Sequence, residues 1–215
     1  MERLEVVEFD YRNKEDLKSI SELHGKVLPG SNVPGLGKLF MEHFYYTTLC
    51  ERGLLKCYLA KYDNKIVGLL TTTKWPYSFI KRGLKGQYLK VMFILGLSVL
   101  LKPSRLKAII SQMKYKADPI LKEYEESGTS FELLTIGVLD EFRSLVLPEN
   151  KKIANKMADA AFKYYKEQGF KYATGQIVKE NTAPLKFWGR NYKGKFHDSS
   201  VKSTSCILVI DLNEI

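Results

Sequence analysis

The last third of the chain restricts the fold most, because an apolar strand, a long helix, a second strand and a short helix follow one another directly. Residues 131–138 (FELLTIGV) are too apolar and too short for a surface helix and predict a largely buried strand. A loop containing Asp140, Glu141, Arg143 and Pro148 comes next. Apolar residues then recur at Ile153, Met157, Ala160, Ala161 and Tyr164 with lysines between them, which is helical spacing, and Gly169 supplies the stop. Residues 170–178 alternate well enough for another strand, and 181–191 predict a shorter helix led by Asn181 and carrying Phe187 and Trp188.

That order has a chemical consequence. A helix that starts beside the end of a strand offers unpaired backbone N–H groups and the positive end of its dipole, which together bind a pyrophosphate, here at 150–155. A sheet that splays beside the central strand lets an extended ligand pair with its backbone, around Ile136, Gly137 and Val138.

The front of the chain predicts a strand at 4–9, helices around 16–27 and 35–49, and a hairpin of 56–62 and 65–73 turning at Asp63 and Asn64. With 215 residues and 45% hydrophobic content, 1–215 is read as one domain able to bury its core without disulfides or metals. Cys50, Cys57 and Cys206 are odd in number and lack a C-x-x-C pair, which predicts a reducing, cytoplasmic setting. His24, His43 and His197 have no ligand spacing, so no metal is expected, and the charged first ten residues carry no apolar segment of a signal peptide.

In this order of pieces, and in the phrase YDNKIVG at 62–68, most of the chain resembles the GNAT superfamily of acyl-coenzyme A dependent N-acetyltransferases. The resemblance implies an α/β fold with a mixed, mostly antiparallel central sheet flanked by helices. It also implies transfer of an acetyl group from acetyl-CoA to an amine by direct attack in a ternary complex. The implied coenzyme contacts are Ile136, Gly137 and Val138, then Lys151, Lys152, Ile153, Ala154 and Asn155, then Asn181 and Trp188. Glu132 is the implied general base, with Asp140 and Glu141 the other carboxylates near the expected thioester. The family's acid tyrosine, seven positions after the Asn, is replaced here by Trp188, and Tyr192 is the phenol that could substitute. The family's Ala three positions after the Asn is Pro184, which suits a first helical turn. In the pyrophosphate loop, Glu149 to Ala154 align with the family pattern and only Ala154 matches; Lys152 stands where a glycine permits close backbone approach, and Lys151 and Lys152 could meet phosphate charge directly. The segment at 28–40 (LPGSNVPGLGKLF) is similar to acetyltransferases of surface polysaccharide pathways, which would make the small-molecule acceptor an amino sugar.

Residues 74–130 are an insertion between the third and fourth strands. From Lys74 to Lys122 there are eleven Lys or Arg and one acid, Asp118, an excess equal to the +10 net charge of the whole chain. Within it 91–101 (VMFILGLSVLL) is too short to cross a bilayer as a helix. Leu106, Ile109, Ile110 and Met113 form a helical stripe opposite Arg105, Lys107 and Lys114, and Asp118 with Pro119 opens a further helix. Such segments fit a lid or acceptor-binding subdomain, a peripheral membrane or lipid-linked contact, or a homodimer interface. Trp75, Tyr77, Phe79, Tyr88 and Tyr115 sit among the basic residues, but no nucleic-acid-binding motif accompanies them and no nucleic acid partner is expected. The competing functional class is a noncatalytic protein of this fold whose insertion touches a membrane or a protein partner.

Overall fold

Strands from both ends of the chain join in one seven-stranded sheet of order β1-β2-β3-β4-β5-β7-β6. They are β1 (Leu4–Glu8), β2 (Lys56–Tyr62), β3 (Lys65–Thr73), β4 (Ser130–Val138), β5 (Tyr172–Val178), β6 (Lys195–Asp198) and β7 (Ser205–Asp211). Every neighbouring pair is antiparallel except β4 with β5. This computed structural model describes all residues except 1–3, 30, 114–116 and 148–149, together with the backbone but not the side chains of 32 and 113. Pro148 and Glu149 of the expected phosphate loop, Lys114 and Tyr115 of the insertion, and the Met113 side chain therefore lie outside the described residues.

The β2–β3 hairpin turns as its sequence predicts, with Asp63 and Asn64 both at positive φ (46° and 64°), the conformation that favours such residues. Strands β6 and β7 were not anticipated. Strand β7 is buried along Ser205 to Ile210 because both its faces are covered, Cys206, Leu208 and Ile210 by the core of Met157 and Phe162 and Ile207 and Val209 by Leu121, so it reads as a continuous apolar run without alternation.

Helix α1 (Lys14–Val27) starts where the Asn13 side chain accepts from the N–H groups of Glu15 and Asp16. The single helix expected at 35–49 is instead four pieces: α2 (Asn32–Gly35), α3 (Lys38–Phe40), a π-helix (Met41–Thr48) and α4 (Leu49–Glu51). Gly37, at φ 99°, separates the first two. In the π-helix the hydroxyls of Thr47 and Thr48 donate to the carbonyls of Glu42 and His43, five residues back, at 2.5 and 2.9 Å.

Among the described residues four helices occupy the stretch between β3 and β4: α5 (Phe79–Leu84), α6 (Tyr88–Leu101), α7 (Arg105–Met113) and α8 (Pro119–Glu126). Asp118 caps α8 through the Ile120 N–H (3.1 Å) and also accepts from the Ser199 hydroxyl (2.7 Å) and the Ser200 N–H (2.8 Å), which ties the insertion to the loop before β7. At the other end of α8, Glu125 accepts from the N–H groups of Tyr77 and Ser78, both at 2.8 Å, and from the Ser78 hydroxyl.

Two large apolar cores lie on opposite faces of the sheet, and a small third cluster packs Leu121 of α8 on Ile207 and Val209 of β7. On one, α9 (Ile153–Glu167) and α10 (Thr182–Tyr192) bury Met157, Ala161, Phe162 and Trp188, and Tyr165 stacks on Phe131 of β4 at 3.7 Å between ring centroids. On the other, Ile20, Leu23 and Val27 of α1 meet Tyr45 and Tyr46 of the π-helix and Val91 and Ile94 of α6. Among the described residues no helix is long and apolar enough to cross a membrane.

Candidate active site

The parallel pairing of β4 with β5 ends almost as soon as it begins. Only Ser130, Phe131 and Glu132 pair with Tyr172, Ala173 and Thr174. Beyond them β4 continues along β3 to Val138 and β5 continues along β7 to Val178, so the two strands part. The register slips between Thr71 and Thr72, opposite Thr135 and Leu133, leaving Leu134 as an extra residue of β4 at the point of divergence. Such a bulge bends its strand. Gly175 faces this vertex, and a Cβ there would sit 3.3 Å from the Leu133 carbonyl oxygen. The result is a wedge whose β4 edge, 133–138, offers N–H and C=O groups without a strand partner, and Ile136, Gly137 and Val138 lie on it. Leu134 and Gly175 were missed in the sequence; the Gly interrupting an apolar strand was the available signal.

Helix α9 starts after β4 and the intervening loop. The turn before it is tight: the Leu147 N–H donates to the Lys151 carbonyl (2.8 Å), the Asn150 N–H to the Leu147 carbonyl (2.9 Å), and Asn150 takes φ 56°. The Lys152 N–H is held by Asn155 Oδ1 at 3.1 Å, half of a capping box. Ile153, Ala154 and Asn155 form the first turn, where N–H groups have no intrahelical acceptor. Ile153 is buried and anchors the turn, while Lys151 and Lys152 are exposed beside it. No acidic residue occupies this turn. A helix start surrounded by Lys151, Lys152 and Lys156 opposes its own dipole unless an anion is bound there. A cavity of about 700 Å³ continues from this end between α9 and the end of α10, lined in part by Asn150, Lys151, Asn155, Lys163, Arg190 and Lys193. Lys151 also pairs with Asp159 at 2.6 Å.

The three expected residues of α10 separate into two groups. Asn181, at the N-cap, is exposed, and among the described residues no hydrogen bond reaches its side chain; only its N–H is used, on the Val178 carbonyl. Trp188 is 2% exposed and packs on Phe162, Phe187 and Tyr192, so it holds α10 onto α9 and has no free face for a coenzyme. The Tyr192 hydroxyl donates to Asp159 Oδ1 (2.9 Å) and lies 3.2 Å from the Asn155 carbonyl and 3.3 Å from Asn155 Nδ2. Burial raises its phenol well above the ordinary range. This places Tyr192 beside the first turns of α9, with its hydroxyl engaged by Asp159 and Asn155.

Glu132 occupies the opposite face. Because Phe131 stacks on α9, the next residue of the strand points to the side of α1 and the π-helix. Its carboxyl is buried, 5% exposed, and among the described residues no hydrogen bond or ion pair reaches it. Burial, and secondarily the negative charge of Glu125, pushes its pKa up from 4.5 to about 8. On the same face Gly137 lets α1 come close, since a Cβ there would lie 2.4 Å from Val27 Cγ2. Nearby, His24 Nδ1 and the Tyr46 hydroxyl share a buried hydrogen bond of 2.7 Å, and burial lowers the imidazole to about 4. That histidine is neutral near pH 7 and helps fix the π-helix on α1.

No protein-family model and no curated protein matches the sequence. Solved structures nevertheless match along almost the whole chain. The PaiA N-acetyltransferase of Thermoplasma acidophilum in complex with coenzyme A aligns at TM-score 0.55 and 13% identity over 97% of this chain and 99% of that one. Arabidopsis thaliana NAA60 in complex with acetyl-CoA aligns at TM-score 0.57 and 12% identity over 98% and 99%. A GNAT-family acetyltransferase of Staphylococcus aureus Mu50 gives TM-score 0.53 and 13% identity over 98% and 99%. With its mixed sheet, its β4–β5 wedge and these structural neighbours, the chain has the fold of the GNAT acetyltransferases.

Proposed function

We propose that the protein is a coenzyme A dependent N-acyltransferase that moves an acetyl group from acetyl-CoA to the amine of a small molecule. The observation that carries this reading is the wedge: unpaired β4 backbone leads to a lysine-rich helix start on one side, with an unpaired buried carboxyl on the other. The coenzyme's pantetheine arm would pair with backbone at Ile136, Gly137 and Val138 and meet the Asn181 amide. Its phosphates would bind the N–H groups of Ile153, Ala154 and Asn155 with Lys151 and Lys152. Trp188 and Tyr192 support this track from beneath.

The acceptor enters from the face of Glu132. Its amine nitrogen attacks the thioester carbonyl, the N–C bond forms, the C–S bond breaks, and the electron pair leaves on sulfur. The surplus amine proton passes to Glu132, whose pKa of about 8 suits a base working near neutral pH. The departing thiolate, of ordinary pKa about 8.5, takes a proton from solvent. An amino sugar is the acceptor favoured by the 28–40 segment. A second reading, a binding protein without turnover, draws on Trp188 standing at the family's acid position.

Calorimetric titration with acetyl-CoA tests the donor. Binding in the range of about 1 µM to 1 mM is expected, weakened about tenfold by Lys152→Glu through lost phosphate contact. No binding at millimolar donor refutes the proposal. Binding without thiol release in the presence of any of a panel of amines favours the second reading.

A further inference from the structure

Helix α6 is apolar on all sides, yet only one side is covered. Val91 and Ile94 are buried in the core with Phe40, Phe44 and Leu49. On the other side Leu89, Met92, Phe93, Leu97, Leu100 and Leu101 recur at spacings of three and four and form one exposed stripe, with Leu89 at 89%, Phe93 at 68% and Leu100 at 80% exposure. From Leu89 to Leu101 it extends about 18 Å at the rise of an α-helix. Isolated exposed apolar residues are ordinary, but a contiguous set of this size marks an interaction surface.

Charge identifies the partner. Lys85 precedes the stripe, Lys90 lies in its first turn and donates to the Thr48 hydroxyl (2.8 Å), Lys102 and Lys107 follow it, and all four are exposed. Among the described residues Lys81, Lys85, Lys102 and Lys107 form no ion pair with the protein's own acids. The one acid from 74 to 122, Asp118, is buried and engaged by Ile120, Ser199 and Ser200. A second copy is a poor occupant. Antiparallel two-fold pairing of the stripes would set Lys85 and Lys90 against Lys102 and Lys107 of the other copy with no carboxylate between them.

We infer that α6 docks flat on an anionic lipid surface, with its stripe in the acyl boundary and its terminal lysines among the headgroups. Its 14 residues reach about 21 Å, short of the roughly 30 Å hydrocarbon core, so it lies in the interface. The inference does not depend on acyl transfer.

Flotation of the full chain with neutral phosphatidylcholine vesicles, and with vesicles holding about 30% phosphatidylglycerol, tests it. Binding to the anionic vesicles only, falling with added salt, is expected. Phe93→Glu with Leu100→Glu should weaken it more than about tenfold without changing the thermal melt, since both side chains are exposed. Lys85→Gln and Lys102→Gln should each weaken it about fivefold. Absence of binding to anionic vesicles, equal binding to both kinds, or binding unaltered by the Phe93→Glu and Leu100→Glu pair overturns the inference. A dimer seen by light scattering and abolished by that same pair would assign the stripe to a second copy instead.

Discussion

Replacing Glu132 with Gln should make the protein more stable and less active, and the first effect should depend on pH in a calculable way. Burial and the Glu125 charge hold the Glu132 carboxyl at about 8, against 4.5 for an unburied glutamate. The folded state therefore binds the proton more tightly than the unfolded chain does. The stabilisation this provides is complete below about pH 4.5 and is lost as pH rises through about 8. At pH 7 the loss has accumulated over 2.5 pH units, roughly 3 kcal/mol at about 1.4 kcal/mol for each. Gln has the same shape and does not titrate, so it escapes the loss. Urea unfolding of both proteins should give a small difference at pH 5 that widens in favour of the variant until about pH 8. In a thiol-release assay kcat should fall on the order of 10²-fold or more, and wild-type kcat should rise with pH to a plateau above about 8. A stability difference that stays flat from pH 5 to pH 8 refutes the electrostatic argument. An unaltered kcat removes Glu132 from the reaction.

Two further substitutions probe the packing around the wedge. Tyr192→Phe removes the hydroxyl that donates to Asp159, and should cost about 1–2 kcal/mol in thermal or urea unfolding while leaving kcat and its pH profile unchanged; a hundredfold fall in kcat would return the phenol to the role of acid. Gly137→Ala drives a Cβ to within 2.4 Å of Val27 Cγ2 and should destabilise by about 1–3 kcal/mol. Pairing it with Val27→Ala should recover much of that loss, and additive effects of the two would show that α1 yields freely there.

Legibility in the sequence followed local physics. The β2–β3 hairpin, β4, α9 with its Gly169 stop, and α8 with its Asp118 cap are each set by periodicity and termination signals within a few residues, and all were readable. Strand β7 was not, because burial of both its faces removes the alternation that marks a half-buried strand. The helix at 35–49 was expected as one element; its π-helical stretch depends on where two threonine hydroxyls find carbonyls, which spacing does not encode. At the site, the position of Glu132 on β4 was readable, but its burial is tertiary and brings it within electrostatic reach of Tyr45 on the π-helix and Glu125 on α8. The position of Tyr192 on α10 was equally plain, whereas its engagement by Asp159 and Asn155 requires two helices to dock.

The insertion and the candidate base meet through one residue. Glu125 accepts the N–H groups of Tyr77 and Ser78 at the head of α5, receives Arg82 at 3.8 Å, and its charge is the second cause of the raised Glu132 carboxyl. The contact that fastens α5 to α8 thus also bears on the proton affinity of the site. Both N–H groups share Oε2, so Glu125→Gln keeps an acceptor for them but removes the charge and the oxygen that accepts from the Ser78 hydroxyl, and should cost about 1–2 kcal/mol of stability. The same change should move the midpoint of the kcat pH profile downward, because Glu132 would then be held up by burial alone. A lowered melt with an unmoved midpoint would reduce Glu125 to a structural fastener. A midpoint that falls with Glu125→Gln and stays unmoved when the exposed, ion-paired Lys122 becomes Gln would assign the effect to this one carboxylate rather than to the net charge of the insertion.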